Sequence, residues 1–518
     1  MSDKKTLSRR KFLILAGAST ATGVIAACGG AATPTSAPGA TQAPAATQAS
    51  AATTAPTTAP STGKQVALTY IYPQFTSQSP DQGLVEAAIS KITQDRINAT
   101  MKLMVLDFGA WGDKINLMNA GGEQYDLVYT ANWTNDYYQN VSNGQFLALD
   151  DLLPNLAPGY WKSMPVTTWQ SAKVSGKLYA GINQQMFPKT WGYAARKDLV
   201  EKYKLDTNAT KTWQDVEPWL GEVMKGENIT PWGQQSFLYV QEIFNCAPVD
   251  DGIGWIQVHA DDRAAKVENY WTTNDFATTW GLMLKWYKAG YYPKDAVTED
   301  VARQEWKAGK HSIVINPVTK PKGESELKAT LGYDVVLKSL SPAILTTAGI
   351  TATLTGLSRT TNNKETATKW LELVNTDKPT YNTLCFGIEG KHWTWLDKAK
   401  EVIQQVKNTA YNPTTDWMFG DQFNAYYRDE ASVGAWEETK KINDSATPSP
   451  TLGFVMNRDP VKNEIAAVSA LVTQWLPFGP QAPQTADLPK LVDQMNGAGA
   501  TKILTEMQKQ IDAWLKSK

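Results

Sequence analysis

The sequence predicts an α/β fold built around a parallel sheet that carries helices on both faces. Strand-like and helix-like apolar patterns alternate from residue 66 to residue 129, and 42% of the residues are apolar, as in globular proteins. With 518 residues, the chain is too long for one ordinary hydrophobic core. We therefore expect two or three domains.

The alternating region supplies the expected sheet. Its elements are a strand over 66–72, a helix over 84–92, a strand over 101–106, a helix around 115–118 and a strand over 125–129. Later elements are expected as strands over 177–185, 310–316 and 349–355 and as helices over 276–288, 299–307, 370–374 and 503–515.

The strand ends of the alternating region are candidate binding positions, because ligands of parallel sheets bind at the carboxyl edge. The side chains expected at that edge are Tyr72, Trp111, Asn132 and Trp133. Each of these aromatic rings could instead cap the core of its own lobe, but their joint occurrence at one edge favours a binding site.

The first residues have the organisation of an export signal. Five basic side chains within residues 1–11 precede an apolar run over 12–25, which is too short to cross a bilayer permanently. Residues 25–28 then resemble a lipobox. We expect a lipoprotein signal peptide over 1–27 and lipidation of Cys28, which would anchor the protein on the outer face of the cytoplasmic membrane. Residues 8–13 also resemble a twin-arginine signal, so the export route stays open.

A disordered tether is expected between Cys28 and the folded body. In residues 31–63, 29 of 33 are Ala, Thr, Pro or Ser, and none is charged or aromatic. Such a segment buries too little apolar area to offset its chain entropy. The folded body is therefore expected over residues 64–518.

The charge balance argues against a nucleic-acid-binding protein. The chain has 50 Lys and Arg against 51 Asp and Glu, whereas phosphate binding needs a basic excess. His259, His311 and His392 stand far apart in sequence without a nearby cysteine, so we expect no metal site and no cofactor. Cys246 and Cys385 could form a disulfide in an exported protein, and their spacing leaves this open.

Acidic doublets raise the alternative of a glycosidase, which needs two carboxylates flanking a glycosidic bond. The doublets are Asp150-Asp151, Asp250-Asp251 and Asp261-Asp262. Adjacent acids point in different directions, and such pairs are more often solvated turns or helix caps. No nucleophile motif or phosphate-binding glycine loop accompanies them, so an enzyme is not expected.

Aromatic residues are abundant, with 20 Trp, 20 Tyr and 13 Phe. Such a load either fills cores or lines a binding site. The segment 411–436 is particularly aromatic, and because residues 417–427 are amphipathic we expect it to serve mainly as packing.

Several segments together resemble a known family. Residues 177–183 with 191–205, and residues 305–317, are similar to the first interlobe crossing and to the segment before the ligand loop in the extracellular solute-binding proteins of ABC importers, carbohydrate type (family 1). A narrower resemblance to LipO-like lipoproteins, which carry an uncharacterised C-terminal module, rests on residues 386–393, 460–467, 496–502 and 506–512.

The resemblance implies a two-lobed periplasmic-binding-protein-like (type II) fold with hinge strands and a ligand cleft between the lobes. By this analogy, lobe one comprises 64–182 and about 352–390, and lobe two comprises 183–351 and about 391–518 with the C-terminal module. The hinges would lie near residues 182–185, 348–352 and 387–393. The resemblance also implies a monomer that delivers its solute to the transmembrane permease of an ABC importer.

The expected ligand is a neutral oligosaccharide. Sugars present C–H faces that stack on aromatic rings and hydroxyls that need amide or carboxylate partners. Besides the four sheet-edge residues, the expected binding residues are Asp136, Asn183, Gln184, Trp232, Tyr239, Trp255, Asn316, Glu389 and Trp393.

Alternatives stay open for several of these residues and for the ligand. Gln184 and Glu389 could merely order a hinge, and Trp232, Tyr239 and Trp255 could be core residues. A peptide or another solute is the alternative ligand class.

Overall fold

A computed structural model describes residues 64–75, 78–233, 240–293, 299–316, 319–475 and 487–518. The expected signal peptide, the lipidation site at Cys28, the tether and Tyr239 all lie outside the described residues. Among the helices that are described, none is both long and apolar enough to cross a membrane.

The described strands group into small sheets. They are β1 (Val66–Gln74), β2 (Ala99–Asp107), β3 (Leu127–Thr130), β4 (Ala180–Ile182), β5 (Gly192–Arg196), β6 (Cys246–Pro248), β7 (Ile256–His259), β8 (Glu268–Asn269), β9 (Ile313–Asn316), β10 (Val335–Ser339), β11 (Ile344–Leu345), β12 (Leu354–Leu357), β13 (Trp393–Asp397), β14 (Val402–Gln405) and β15 (Thr447–Pro448).

Helices connect and cover these strands. They are α1 (Gln82–Ile97), α2 (Phe108–Gly121), α3 (Tyr137–Ser142), α4 (Leu152–Leu156), α5 (Pro158–Lys162), α6 (Val166–Ser171), α7 (Lys197–Lys202), α8 (Glu217–Glu227), α9 (Asn274–Ala289), α10 (Glu299–Lys307), α11 (Glu324–Leu331), α12 (Thr347–Ile350), α13 (Lys364–Thr376), α14 (Lys378–Phe386), α15 (Ala435–Ser445), α16 (Lys462–Trp475), α17 (Leu488–Gly497) and α18 (Ala500–Lys516).

The largest sheet is the five-stranded sheet of lobe one, in the order β2-β1-β3-β12-β4. Strand β1 pairs in parallel with β2 and with β3, whereas β12 pairs antiparallel with β3 and β4. The α/β class is thereby confirmed, with the parallel arrangement holding for the first three strands. Their carboxyl ends meet at one edge, which positions the candidate site.

Local sequence explains the two helices that join these strands. Helix α1 buries Val85, Ile89 and Thr93 at four-residue spacing, so it presents one stripe to the sheet. It ends at Asn98, which adopts the left-handed conformation typical of helix C-caps. Helix α2 begins directly after β2, because the Asp107 side chain accepts a hydrogen bond from the Gly109 amide at 2.9 Å.

One expected strand begins as a helix instead. We expected a strand over 349–355, but Thr347–Ile350 form α12 and β12 starts only at Leu354. The Thr346 hydroxyl accepts a hydrogen bond from the Gly349 amide at 2.9 Å, which caps this short helix. This one hydrogen bond favours a helical turn here, although the β-branched residues of the segment favour a strand.

Two large hydrophobic cores account for most of the described body, and Ala194, Leu331 and Val335 form a small third cluster. The first draws on residues 68–187 and 350–436, and the second on 193–344 and 454–511. The chain therefore passes between the cores at 187–193, 344–350 and 436–454. The first two crossings lie within a few residues of the expected hinges.

The third crossing differs from the expected hinge at 387–393. The Trp393 ring packs 5.0 Å from Trp395 and 5.4 Å from Tyr426, and all three join the first core. Residues 393–436 therefore pack with lobe one, not with lobe two as the resemblance implied. The C-terminal module joins the second core from about residue 454 onward.

Lobe two carries a three-stranded antiparallel sheet in the order β10-β5-β9 and a second one in the order β6-β7-β8. The C-terminal helix α18 buries Ala500, Ile503, Met507 and Ile511 in the second core, as its apolar stripe predicts.

Candidate ligand site

Four aromatic side chains meet at the carboxyl edge of the lobe-one sheet. Phe75 follows β1 directly, Phe108 begins α2 after β2, and Trp133 lies in the loop after β3. Trp417 reaches them from the short 3-10 turn Asp416–Met418. We call these four residues the aromatic platform.

The rings of the platform form one connected cluster. The Phe75 centroid lies 4.4 Å from that of Phe108, 5.7 Å from that of Trp417 and 6.4 Å from that of Trp133. Trp133 lies 6.0 Å from Phe108 and 6.4 Å from Trp417, with interplanar angles of 38° in both cases. The rings are tilted or offset relative to one another, which is the preferred arrangement of aromatic pairs.

The platform is open to solvent, which sets it apart from the buried aromatic rings elsewhere. Trp133 is 42% exposed, and every other tryptophan whose exposure the structure describes is buried or partly buried. Phe75, Phe108 and Trp417 are each partly buried. An open, clustered aromatic surface at a sheet edge can stack against the C–H face of a flat apolar ligand ring.

Hydrogen bonds hold Trp133 in its orientation. Its indole Nε1 donates to the Ala352 carbonyl at 2.8 Å, just before β12. The loop that carries it is closed by the Tyr137 amide, which donates to the Ala131 carbonyl at 2.9 Å. Asn135 adopts a positive φ of 44° and donates from its amide side chain to the Tyr129 carbonyl at 2.8 Å. The exposed ring is therefore preorganised for binding.

Polar side chains flank Trp133 in the same loop. Asn132 is 6% exposed, and its backbone amide donates to the Thr351 carbonyl at 3.1 Å. The Asp136 carboxylate caps α3 by accepting hydrogen bonds from the Tyr138 and Gln139 amides at 2.9 and 3.1 Å. Asp136 also lies 3.5 Å from the Arg458 guanidinium of the C-terminal module.

Three expected binding residues of lobe one lie in its core. Tyr72, Trp111 and Trp393 are 3%, 1% and 5% exposed. The Tyr72 hydroxyl accepts a hydrogen bond from Gln82 at 3.3 Å, and burial raises the pKa of this phenol. The Trp393 indole donates to the Gly387 carbonyl at 3.1 Å. Protein atoms surround these rings, so they present no open face to a ligand.

Two expected binding residues of lobe two are also core residues. Trp232 is 0% exposed and Trp255 is 3% exposed. The Trp232 ring lies 5.1 Å from that of Trp286 and 5.5 Å from that of Trp213. This is the core alternative that the sequence left open for both residues.

Asn183 and Gln184 lie beside the first crossing and tie it to neighbouring segments. The Asn183 amide donates to the Met418 carbonyl at 2.7 Å and its oxygen accepts from Thr355 at 3.2 Å. The Gln184 side chain donates to Ser163 at 2.8 Å. Both side chains are at least 95% buried, which favours the alternative that they order a hinge over contact with a ligand.

The remaining expected residues are dispersed. Glu389 is exposed and forms an isolated bridge with Trp393, away from the platform strands. For Asn316 the structure describes only the backbone, which pairs with Gly192 at the end of β9. The structure thus brings together Trp133, Asn132 and Asp136 from the expected set and adds three aromatic residues to them.

The structure shows why three platform residues, Phe75, Phe108 and Trp417, were not among the expected binding residues. Strand β1 runs to Gln74, two residues beyond Tyr72, so Phe75 and not Tyr72 follows its end. Phe108 sits at the start of a helix that buries Trp111 one turn later. Trp417 lies in the aromatic segment that we expected to serve as packing, and its partial exposure distinguishes it from buried Met418 and Phe419.

Comparisons with known proteins agree with this architecture. The chain is 26% identical over 442 residues, 83% of its length and 88% of the relative, to a carbohydrate ABC transporter substrate-binding protein of Streptococcus pneumoniae serotype 4. It superposes on the N-glycan transport solute binding protein NgtS of Streptococcus pneumoniae with a TM-score of 0.75 and 24% identity, covering 88% of this chain and 99% of NgtS. The chain has the two-lobed solute-binding fold.

The resemblance expected from the sequence is thereby confirmed. NgtS in complex with Man5GlcNAc superposes with a TM-score of 0.72 and 24% identity, over 88% of this chain and 99% of that one. Residues 450–516 match a family model described as a domain of unknown function, DUF3502, which accounts for the expected C-terminal module.

A partly buried ionic network connects segments of the two lobes. Arg428 donates to the Asp416 carboxylate at 2.7 Å, and Lys320 lies 2.7 Å from Glu326. Gln422 bridges the pairs, donating to Asp416 at 3.0 Å and to Glu326 at 3.4 Å. Burial opposes the charge of Asp416, but Arg428 and Lys320 hold the pKa of its carboxyl below the ordinary value.

The cysteines do not pair with each other. Cys246 and Cys385 are both free and buried, Cys385 in the first core and Cys246 in strand β6 of lobe two. The disulfide that the sequence left open is therefore absent between these two described residues.

Proposed function

We propose that this protein captures an oligosaccharide between its lobes and delivers it to the permease of an ABC importer. The observation that carries the proposal is the aromatic platform, four clustered rings that include a 42% exposed tryptophan at the sheet edge. Sugar rings stack their C–H faces on such surfaces, and the anchored indole of Trp133 needs no rearrangement to accept one.

The relatives support a neutral glycan as the ligand class. The solved complexes of NgtS contain Man1GlcNAc and Man5GlcNAc, and the chain shares the fold of those complexes over 87% and 88% of its length. The loop beside the platform also carries Asn132 and Asp136, but Asn132 is buried and Asp136 caps α3, so the support for a sugar comes from the aromatic surface. We infer that a mannose-containing oligosaccharide occupies the platform.

We also propose that the protein binds its ligand without cleaving it. The relatives are described as substrate-binding or solute-binding proteins. The acid beside the platform, Asp136, caps a helix and contacts Arg458, an arrangement suited to structure more than to glycosidic bond cleavage. A peptide-binding protein stays the alternative, because aromatic surfaces also accept apolar peptide side chains.

The place of action follows from the same proposal. Solute-binding proteins of ABC importers work outside the cytoplasm, and the basic and apolar start of this chain ends at Cys28 as a lipoprotein signal would. We propose a lipid-anchored monomer on the outer face of the cytoplasmic membrane.

Calorimetric titration with Man5GlcNAc, and with a peptide panel for comparison, tests the platform. Trp133→Ala removes the exposed stacking surface and should weaken glycan binding by about 30-fold, equivalent to about 2 kcal/mol. Trp417→Ala should also weaken it. Trp514→Ala is the matched control, since this half-buried tryptophan packs 5.7 Å from Phe454 in the second core and should leave affinity unchanged.

Two results would contradict the sugar proposal. One is unchanged glycan affinity in the folded Trp133→Ala protein. The other is saturable binding of peptides without binding of any glycan in the native protein.

A further inference from the structure

Three potential metal ligands share one face of the small sheet β6-β7-β8. Cys246 pairs directly with His259 across β6 and β7, and Gln257 pairs directly with Glu268 across β7 and β8. Directly paired residues of antiparallel strands point to the same face, and so do residues two apart on one strand. The thiol, the imidazole and the carboxylate therefore converge although they stand 13 and 9 residues apart in sequence.

The donor atoms are close enough to share one ion. The Cys246 Sγ lies 3.3 Å from Nδ1 and 3.9 Å from Nε2 of His259, and the His259 Nε2 lies 3.4 Å from the Glu268 carboxylate. All three donor atoms lie within 4.8 Å of one another. A tetrahedral zinc ion with bonds of about 2.3 Å to sulfur and 2.0 Å to nitrogen separates these two atoms by about 3.5 Å.

Gln257 positions the carboxylate of this cluster. Its side-chain amide is 1% exposed and donates to the Glu268 Oε1 at 2.7 Å. Such a partner orients a ligating carboxylate and strengthens metal binding. On one side of the cluster, buried Gln257 holds the Glu268 carboxylate. On the other side, the His259 side chain is 51% exposed and faces solvent.

The surroundings of the thiol are acidic. Burial, together with the nearby carboxylates of Glu268, Asp275 and Asp261, raises the pKa of Cys246 to about 12. Negative groups around three donors favour a cation, which would replace the thiol proton on binding.

We propose that Cys246, His259 and Glu268 form a binding site for one divalent transition-metal ion of borderline softness, zinc being the best match. Thiolate, imidazole and carboxylate together suit zinc, with a solvent molecule as fourth ligand on the open side. The sequence led us to expect no metal site, because it did not show that the strand register brings these residues together. The ion would tie three strands of lobe two, independently of the platform in lobe one.

Cobalt substitution tests the proposal directly. The purified protein, without a polyhistidine tag and in reduced form, is titrated with cobalt chloride while thiolate-to-cobalt charge-transfer absorption is recorded. We expect one saturable equivalent per chain, displaced by zinc. Cys246→Ser should abolish the absorption band, and His259→Ala should abolish it or weaken binding severely. Gln257→Leu should lower the affinity by roughly 10- to 100-fold.

The matched control is the other described thiol, Cys385. Cys385→Ser should leave the cobalt spectrum unchanged, and circular dichroism confirms that each variant is folded. Zinc should raise the unfolding temperature of the native protein and not that of Cys246→Ser. Absence of the charge-transfer band in the folded native protein, or its persistence in Cys246→Ser, would overturn the site. Glycan binding by the platform is measured separately, so failure of either proposal leaves the other intact.

Discussion

Trp133 and Trp232 differ in burial, although both are binding candidates in the sequence, where a core position stays open for Trp232. Trp133 is 42% exposed at the sheet edge, whereas Trp232 is fully buried between Trp213 and Trp286. We expect Trp232→Ala to lower the free energy of unfolding by about 3–5 kcal/mol, since it leaves a large cavity. Trp133→Ala should lower it by less than about 1 kcal/mol. Urea unfolding of both variants checks this, and equal losses would refute the assignment.

Asp421 should make the protein less stable as pH rises. This residue caps the turn Gln422–Asn424, and burial raises the pKa of its carboxyl to about 6, although the Phe423 amide and Lys440 act in the opposite direction. Between about pH 4, the ordinary value, and pH 6 the folded state binds more protons than the unfolded state. Stability contributed by this protonated carboxyl is therefore present at low pH and is lost as pH rises through about 6.

Asp421→Asn isolates this effect. Asparagine can accept the same hydrogen bond from the Phe423 amide, 2.9 Å in the native protein, without carrying a charge. At pH 7.5 we expect the variant to be more stable by up to about 3 kcal/mol, with the gain shrinking toward pH 4. Unfolding free energies from pH 4 to 7.5 measure it, and a gain that is the same at every pH would contradict the pKa assignment.

At the residue scale, the sequence placed Trp133 at the end of a strand, and the structure has it in the loop after β3, with the residue 42% exposed. That it contacts a ligand stays a prediction. Tyr72 and Trp111 were expected beside it but are buried in the first core, Tyr72 two residues before the end of β1 and Trp111 one turn inside α2. Phe75 and Phe108 take their places at the edge.

At the element scale, the contribution of the ionic network between the lobes to stability can be measured by removing Arg428. Arg428 and Asp416 are 14% and 4% exposed, so removing one partner leaves a buried charge. Arg428→Ala should lower the free energy of unfolding at pH 7 by about 3–5 kcal/mol. The surface pair Lys502–Glu464 is the matched control, and Lys502→Ala should cost less than about 1 kcal/mol. Similar costs for the two variants would contradict the buried network.

Helices with a long apolar stripe could be predicted from the sequence. Elements whose start depends on one capping side chain, and contacts that depend on how strands align, could not. The helix expected over 503–515 is Ala500–Lys516, and the one expected over 299–307 is Glu299–Lys307. Helix α12 replaced part of an expected strand because of one threonine cap. The convergence of Cys246 with Glu268 depends on strand register, which no single-sequence pattern specifies.

At the scale of the whole molecule, two cores joined by three chain crossings explain how a ligand could be captured. The described chain passes between the cores at 187–193, 344–350 and 436–454, whereas the resemblance implied hinges near 182–185, 348–352 and 387–393. The aromatic segment before the third crossing packs on lobe one and contributes Trp417 to the platform. Segments distant in sequence therefore build one surface, and only their packing against the sheet edge brings them together.

The most direct test of the central claim is calorimetric titration of the native protein with Man5GlcNAc, followed by analysis of the glycan for released sugar. We predict one saturable site per chain and intact glycan at the end, because the platform binds without cleaving. Absence of binding to this and to other neutral oligosaccharides, or the appearance of hydrolysis products, would contradict the proposal that the protein captures an oligosaccharide for import.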